Sequence, residues 1–275
     1  MEQKKFGLIG HPLGHSMSAV MHNAAFKYLN LPYIYELFDI LPEQIENFLK
    51  NTKLNGLNVT IPYKPQVIPF LDKIDKTAEQ MGSVNTIKIE NEKTGYTTDG
   101  IGCVRAFTSN NITLRDKKIF IIGAGGASRS IIFTLVNEGA ELTLSNRTKE
   151  KALEIIKEIK DKLNKEVFFA ENEDIVEILK KSDILINTTS VGMHPNENEM
   201  PIDKKFLHKN LIVMDIVYNP IKTKLLEEAD KIGCKTLSGV DMLVYQGAES
   251  LRIWLGIEPP IEVMKKAVVD KLNSN

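Results

Sequence analysis

Ile119-Phe120-Ile121-Ile122-Gly123-Ala124-Gly125-Gly126-Ala127-Ser128-Arg129 is an apolar β-type run that breaks into a glycine-rich turn and then opens a helical stretch over 127–138. Such a turn lets backbone N–H groups approach a pyrophosphate and aims the positive end of a helix at it. Ser128 stands where the strict G-x-G-x-x-G pattern has its third glycine. Glycine turns after strands also serve plain geometry, so the pattern draws its weight from its surroundings.

Downstream, a second strand over 141–146 ends in Asn146-Arg147-Thr148. A domain that binds NAD places Asp or Glu there, about 20 residues after the turn, to hold the ribose 2′-hydroxyl. Here the position carries arginine, whose guanidinium matches phosphate bidentately. Asn146, Arg147, Thr148 and Lys151 therefore read as a pocket for the 2′-phosphate of NADP(H); the bland alternative is a solvated arginine at a strand end. The alternation continues as helix 149–164, strand 167–170, helix 174–180 and strands 184–188 and 211–215. Residues 187–193, Asn-Thr-Thr-Ser-Val-Gly-Met, put small and polar groups at the sheet edge where a dinucleotide crosses.

Upstream, strands over 6–10, 33–38 and 56–60 alternate with amphipathic stretches over 17–29 and 44–51, which is the grammar of a parallel sheet. Runs over 83–89 and 94–98 flank a polar turn and read as an appended hairpin. A helix over 100–109 leads away, and helices over 241–255 and 262–272 close the chain. The expected fold is α/β: a mixed-sheet domain, residues 1–102, and a doubly wound Rossmann-type domain, 103–239, with a cleft between them; from the residues alone the closing helices, 240–275, could pack on either. A length of 275 residues fits two domains.

With Lys+Arg 35 against Asp+Glu 36, the net charge of −1 offers no basic surface for nucleic acid or anionic membrane. Cys103 and Cys234 lack the spacing of a disulfide framework or zinc site. His11, His15 and His22 do not form a helical ligand pair, because Pro12 and Gly14 intervene, so no metal is expected. No G-x-S-x-G hydrolase elbow occurs. No apolar run approaches the ~18 residues of a membrane span, and Gly10-His11-Pro12 stops the first one well short of a signal-peptide core; the expected location is the cytoplasm.

Three further constellations lie at strand ends of the first domain: Gly10-His11-Pro12-Leu13-Gly14-His15-Ser16-Met17-Ser18 with His22-Asn23; Gly56-Leu57-Asn58-Val59-Thr60-Ile61-Pro62-Tyr63-Lys64; and Gly82-Ser83-Val84-Asn85-Thr86 with Gly95-Tyr96-Thr97-Thr98-Asp99-Gly100-Ile101-Gly102. On its own, the Ser16/Ser18 pair reads as a helix cap. Taken in order, these residues resemble the shikimate dehydrogenase family, which carries H-S-x-S-P-x-x-H-N, G-x-N-V-T-x-P-x-K, G-A-V-N-T and G-x-N-T-D-x-x-G. The resemblance extends through Asp215-Ile216-Val217-Tyr218-Asn219-Pro220 to Gly239-Val240-Asp241-Met242 and Gln246-Gly247-Ala248.

That resemblance implies reversible reduction of 3-dehydroshikimate to shikimate by NADPH, a step of aromatic amino-acid biosynthesis. It implies Lys64 as proton donor to the developing alkoxide and Asp99 as the group that orients it and helps proton exchange. Ser16 and Ser18 would hold the substrate carboxylate, with Tyr218 reaching it from the other domain, while Thr60, Asn85 and Gln246 read ring hydroxyls. Gly123, Ala124, Gly125, Gly126, Ala127, Thr188, Ile216, Gly239 and Met242 join Asn146, Arg147, Thr148 and Lys151 around the cofactor; core packing is the alternative for Met242. Ala19 and Thr97 depart from the family's usual proline and asparagine, and Leu251 from its common aromatic. Two rivals stay open: a paralogue using NAD on quinate as well as shikimate, and a non-catalytic binding protein. Oligomeric state is not set by the sequence, which leaves a homodimer open.

Overall fold

The computed structural model describes residues 3–14 and 16–274, so His15 of the histidine trio lies outside the described residues. The chain divides into two compact units, residues 1–99 with 244–275, and residues 100–243.

In the first unit, β1 (Lys5–Gly10), α1 (Ser18–Tyr28), β2 (Ile34–Asp39), α2 (Ile45–Asn51) and β3 (Gly56–Val59) form the expected parallel core, with β1 between β2 and β3. Next come β4 (Lys73–Ile74), α3 (Lys76–Met81), β5 (Thr86–Ile89) and β6 (Lys93–Tyr96). β5 and β6 are an antiparallel hairpin that joins β3, completing the order β2-β1-β3-β5-β6-β4. The short β4 and α3 were not among the expected elements. One face is covered by Ile45, Leu49 and Tyr63 against Ile9, Leu57, Val59 and Ile87. The other carries an aromatic layer in which Phe6 stacks on Trp254 with ring centroids 5.0 Å apart.

The second unit begins within α4 (Asp99–Thr108) and contains β7 (Lys118–Ile122), α5 (Gly126–Asn137), β8 (Glu141–Ser145), α6 (Lys149–Leu163), β9 (Val167–Phe169), α7 (Ile175–Lys180), β10 (Ile184–Asn187), β11 (Ile212–Asp215), α8 (Lys224–Ile232) and β12 (Lys235–Leu237). Its six strands are all parallel in the order β12-β11-β10-β7-β8-β9, the doubly wound arrangement expected from the alternation. The strand order reverses between β10 and β7, so the crevice at their carboxyl ends is where this fold receives ligands. Leu225, Leu226 and Ala229 of α8 bury against Phe120, Leu185 and Val213.

The chain returns to the first unit within α9 (Gly239–Leu255), and α10 (Ile261–Asn273) packs on α1. Trp254 of α9 donates from Nε1 to the Ile87 carbonyl at 2.9 Å. It sits so close to Gly56 that a Cβ there would lie 2.5 Å from the indole nitrogen. That close approach seats α9, and with it Gln246, on β3 and β5. Among the described residues, no helix is long and apolar enough to cross a membrane.

Candidate active site

β3 runs into a turn closed by the Tyr63 N–H on the Thr60 carbonyl at 2.9 Å, and Lys64 follows. Its side chain is 10% exposed and its ammonium is ion-paired with Asp99 Oδ2. Asp99 is the first residue of α4, where the helix dipole favours negative charge. A buried pair holds only when its remaining hydrogen-bonding capacity is met. Asn85 meets it, donating from Nδ2 to Asp99 Oδ1 at 2.9 Å, while its own Oδ1 accepts the Thr98 N–H at 2.8 Å.

Gln246 reaches the same knot, its Oε1 lying 3.4 Å from Asn85 Nδ2 and 3.5 Å from Thr98 Oγ1. Lys64, Asp99, Asn85 and Gln246 are thus brought together as expected. The Asn85 amide is already engaged with Thr98 and Asp99, so in this arrangement it orients the carboxylate. Lys64 has three N–H donors and, among the described residues, Asp99 as its one side-chain partner. Two donors remain for a substrate oxygen.

Ser16 and Ser18 sit together at the start of α1: the Ser18 N–H donates to Ser16 Oγ at 3.3 Å. The helix is capped by Met17 without a side-chain bond, so neither serine is spent as its N-cap. Thr60 is partly exposed at the end of β3 and packs its methyl over Gly10. These three are not hydrogen-bonded to the Lys64 knot. Asn58, Thr86, Thr98 and Ser250, passed over as site residues, form a buried polar layer beneath it. Asn58 Nδ2 donates to Thr86 Oγ1 at 3.0 Å and to Ser250 Oγ at 2.9 Å. The available signal was Asn58 itself, a polar residue in a strand buried along its whole length.

In the second unit, the turn after β7 is built for close approach. Gly123 has φ +116°, and a Cβ there would lie 2.5 Å from Thr188 Oγ1. Ser128, at the position of the missing glycine, is fully buried and donates to the Gly123 carbonyl at 2.7 Å, tying the turn to the first turn of α5. Gly125 and Gly126 are exposed with nothing within 4 Å of where a Cβ would stand. The cradle is thus open over the N-terminus of α5, whose first N–H groups have no intrahelical acceptor. Ala124 and Ala127 line the same turn and are partly exposed. Thr188 donates its hydroxyl to the Ile122 carbonyl at 2.8 Å.

At the end of β8, Asn146 Nδ2 donates to the Thr148 carbonyl at 2.7 Å, shaping the loop before α6. Lys149 is ion-paired with Glu171. Arg147 and Lys151 are exposed and have no ion pair among the described residues. Two free cations flank an exposed helix start, which suits a phosphomonoester. Gly239 answers to packing, since a Cβ there would lie 2.3 Å from the Ile216 carbonyl oxygen. Met242 is buried, and Tyr218 is half-buried with its phenol pushed up by desolvation. Among the described residues, no group of three or more His, Cys, Asp or Glu is placed to hold a metal ion. His11 bonds Asp39 instead, at 2.6 Å.

Asp215, at the end of β11, is fully buried and, among the described residues, faces neutral donors: Thr223 Oγ1 at 2.7 Å, the Val217 N–H at 3.0 Å and Asn187 Nδ2 at 3.0 Å. Burial outweighs these bonds and pushes its carboxyl up to about 6. The folded state therefore holds a proton that an unfolded carboxyl, at about 3.9, releases, so this group adds stability as pH falls through 6 toward 4. Lowering pH from 7 to 5 is expected to raise the unfolding temperature of the wild type relative to Asp215→Asn. Parallel melting curves across that range would contradict the shift.

Family models match three segments: a shikimate dehydrogenase substrate binding domain over residues 8–87, a shikimate / quinate 5-dehydrogenase over 106–230 and a shikimate 5'-dehydrogenase C-terminal domain over 239–269. A curated relative from Methanocaldococcus jannaschii, shikimate dehydrogenase (NADP(+)), is 47% identical, with 98% of this chain and 97% of that protein aligned. A crystal structure of shikimate dehydrogenase in complex with NADP+ superposes with TM-score 0.94 at 46% identity, covering 98% of this chain and 96% of the other. The Listeria monocytogenes shikimate 5-dehydrogenase in complex with shikimate and NAD gives TM-score 0.89 at 34% identity, covering 96% of each chain. With near-complete coverage at such identity, and with the lysine–aspartate knot and the glycine turn both in place, the chain belongs to the shikimate dehydrogenase family.

Proposed function

We propose that this protein is an NADP-dependent shikimate dehydrogenase, an oxidoreductase that interconverts 3-dehydroshikimate and shikimate in aromatic amino-acid biosynthesis. The observation that carries the reading is the buried Lys64–Asp99 pair, held by Asn85 in a segment that matches the family's substrate-binding domain. We assign substrate to residues 1–102 with 240–275, and cofactor to residues 103–239. The near-neutral charge suits a cytoplasmic enzyme of small-molecule substrates, without nucleic-acid or membrane partners.

NADP(H) fits the residues present: an open glycine cradle and helix start for the pyrophosphate, and Arg147 and Lys151 for the 2′-phosphate. Bound there, it supplies or accepts the hydride. Lys64 donates a proton to the carbonyl oxygen as negative charge develops on it, and Asp99 keeps the ammonium aimed. In the oxidative direction the neutral amine of Lys64 takes the hydroxyl proton. Asn85 fixes the Asp99 carboxylate and Gln246 turns its amide to the ring hydroxyls, while Ser16 and Ser18 offer hydroxyl donors to the substrate carboxylate.

Steady-state kinetics with shikimate and quinate, each with NADP and NAD, test the reading. The expected outcome is kcat/KM highest for shikimate with NADP, by at least about tenfold over either exchange. Comparable rates on quinate with NAD would favour the paralogue, and binding without turnover at alkaline pH would favour a non-catalytic protein.

A further inference from the structure

His22-Asn23 belongs to the first constellation but takes no part in the chemistry above. His22 is fully buried, and among the described residues neither ring nitrogen has a hydrogen-bond partner. Burial pushes its imidazole down to about 3, so the ring is neutral at any working pH. What it does have is a flat contact: it stacks on Tyr35 with centroids 4.4 Å apart and planes 12° from parallel. Asn23 takes hold of the same residue from its backbone side, donating from Nδ2 to the Tyr35 carbonyl and accepting the Tyr35 N–H on Oδ1, both at 2.9 Å. Because β2 is an edge strand, these bonds stand where a neighbouring strand would otherwise pair. Two adjacent residues of α1 thus fix both the main chain and the ring of Tyr35.

The phenol so fixed is buried and donates to Asn58 Oδ1 at 2.7 Å. The Asn85 carbonyl, which can only accept, takes the Nδ2 end of the Asn58 amide and leaves Oδ1 to the phenol, whose bond holds it there. The Nδ2 end is then turned to the Asn85 carbonyl at 3.2 Å, to Thr86 Oγ1 at 3.0 Å and to Ser250 Oγ at 2.9 Å. Rotated by half a turn, Asn58 would set its oxygen against the Asn85 carbonyl and repel it. The Ser18 hydroxyl also lies against the phenol, opposing the upward push that burial exerts on it.

We propose that Tyr35 is a positioning residue of the substrate pocket, acting through Asn58, and that His22 and Asn23 serve to hold it in place. His22 works as a neutral flat plate, which explains a buried imidazole with unused nitrogens. The phenol keeps Asn58, and through it the Asn85 strand segment, in the register that the substrate meets.

The proposal rests on the shikimate dehydrogenase reading, and the test is kinetic. Wild-type turnover of shikimate with NADP is measured first; its absence would defeat that reading and not the packing argument. Given turnover, Tyr35→Phe is expected to raise KM for shikimate about fivefold, with kcat and KM for NADP within twofold. In an Asn58→Ala background the same change should have no further effect on KM. His22→Phe, which keeps the plate, should stay within twofold of wild type, whereas His22→Ala should match Tyr35→Phe. A KM unchanged in Tyr35→Phe, a full additional loss in the Asn58→Ala background, or a His22→Phe as impaired as His22→Ala would each overturn the proposal. Loss of thermal stability alone, with KM unaltered, would reduce Tyr35 to a packing residue and overturn it as well.

Discussion

Lys64→Ala is expected to lower kcat for shikimate oxidation about a thousandfold while KM for shikimate moves by less than about threefold. The size follows from the role: a positioned acid–base group contributes about 10²- to 10⁴-fold, and its contact strengthens as charge develops in the transition state. The pattern follows from the geometry. Lys64 is buried and its ammonium is held by Asp99, not free to be replaced by solvent in the same place. Lys64→Arg should recover little, because a planar fork is differently sized and aimed from a compact ammonium. Steady-state kinetics decide the matter, and a kcat within tenfold of wild type would remove Lys64 from the proton path.

The second large effect is expected at Arg147. Substitution by alanine should weaken NADP binding tenfold to a hundredfold and leave NAD binding within about twofold. Hydrogen bonds to charged groups are worth about 1.5–3 kcal/mol, and a bidentate guanidinium–phosphate pair lies in that range. The side chain is exposed and without an ion pair among the described residues, so removing it breaks nothing in the fold. Fluorescence titration of each cofactor measures the ratio; equal weakening of both would mean that Arg147 meets no 2′-phosphate. Lys151, also unpaired, should contribute in the same direction and less.

The doubly wound unit was legible because its signals are local. The run Ile119–Ile122, the glycine turn and Arg147 each carry their meaning within a few residues, and the alternation through residue 188 implies parallel strands, whereas the order β12-β11-β10-β7-β8-β9 comes from the structure. Lys64 and Asp99 were legible as motif members, and their contact only through the family resemblance, since it spans 35 positions and depends on the β3–β5 register. The layer of Asn58, Thr86 and Ser250 was less accessible still. Single polar residues in buried strands and helices have no periodic signature, and their partners come from β3, β5 and α9 together. α8 was readable, with Thr223 capping it and Gly233 ending it in a left-handed conformation, yet it was not among the expected elements. β4, two residues long, is too short for any alternation to show.

Trp254 seated on Gly56 gives the molecule an order of assembly. The first unit is discontinuous, residues 1–99 joined by 244–275, whereas residues 100–243 are one uninterrupted stretch. A chain emerging from the ribosome can complete its central unit before the indole that covers β3 and β5 exists. Until then the apolar face around Phe6 and Gly56 lacks its cover. Once formed, the central unit shortens the loop that the last helices must close, because a folded insert brings its ends to a fixed separation where a free chain of that length would not. The hydrogen-bonded layer around Asn58 and Asn85, which needs Gln246 and Ser250, therefore becomes whole only after the central unit has been made.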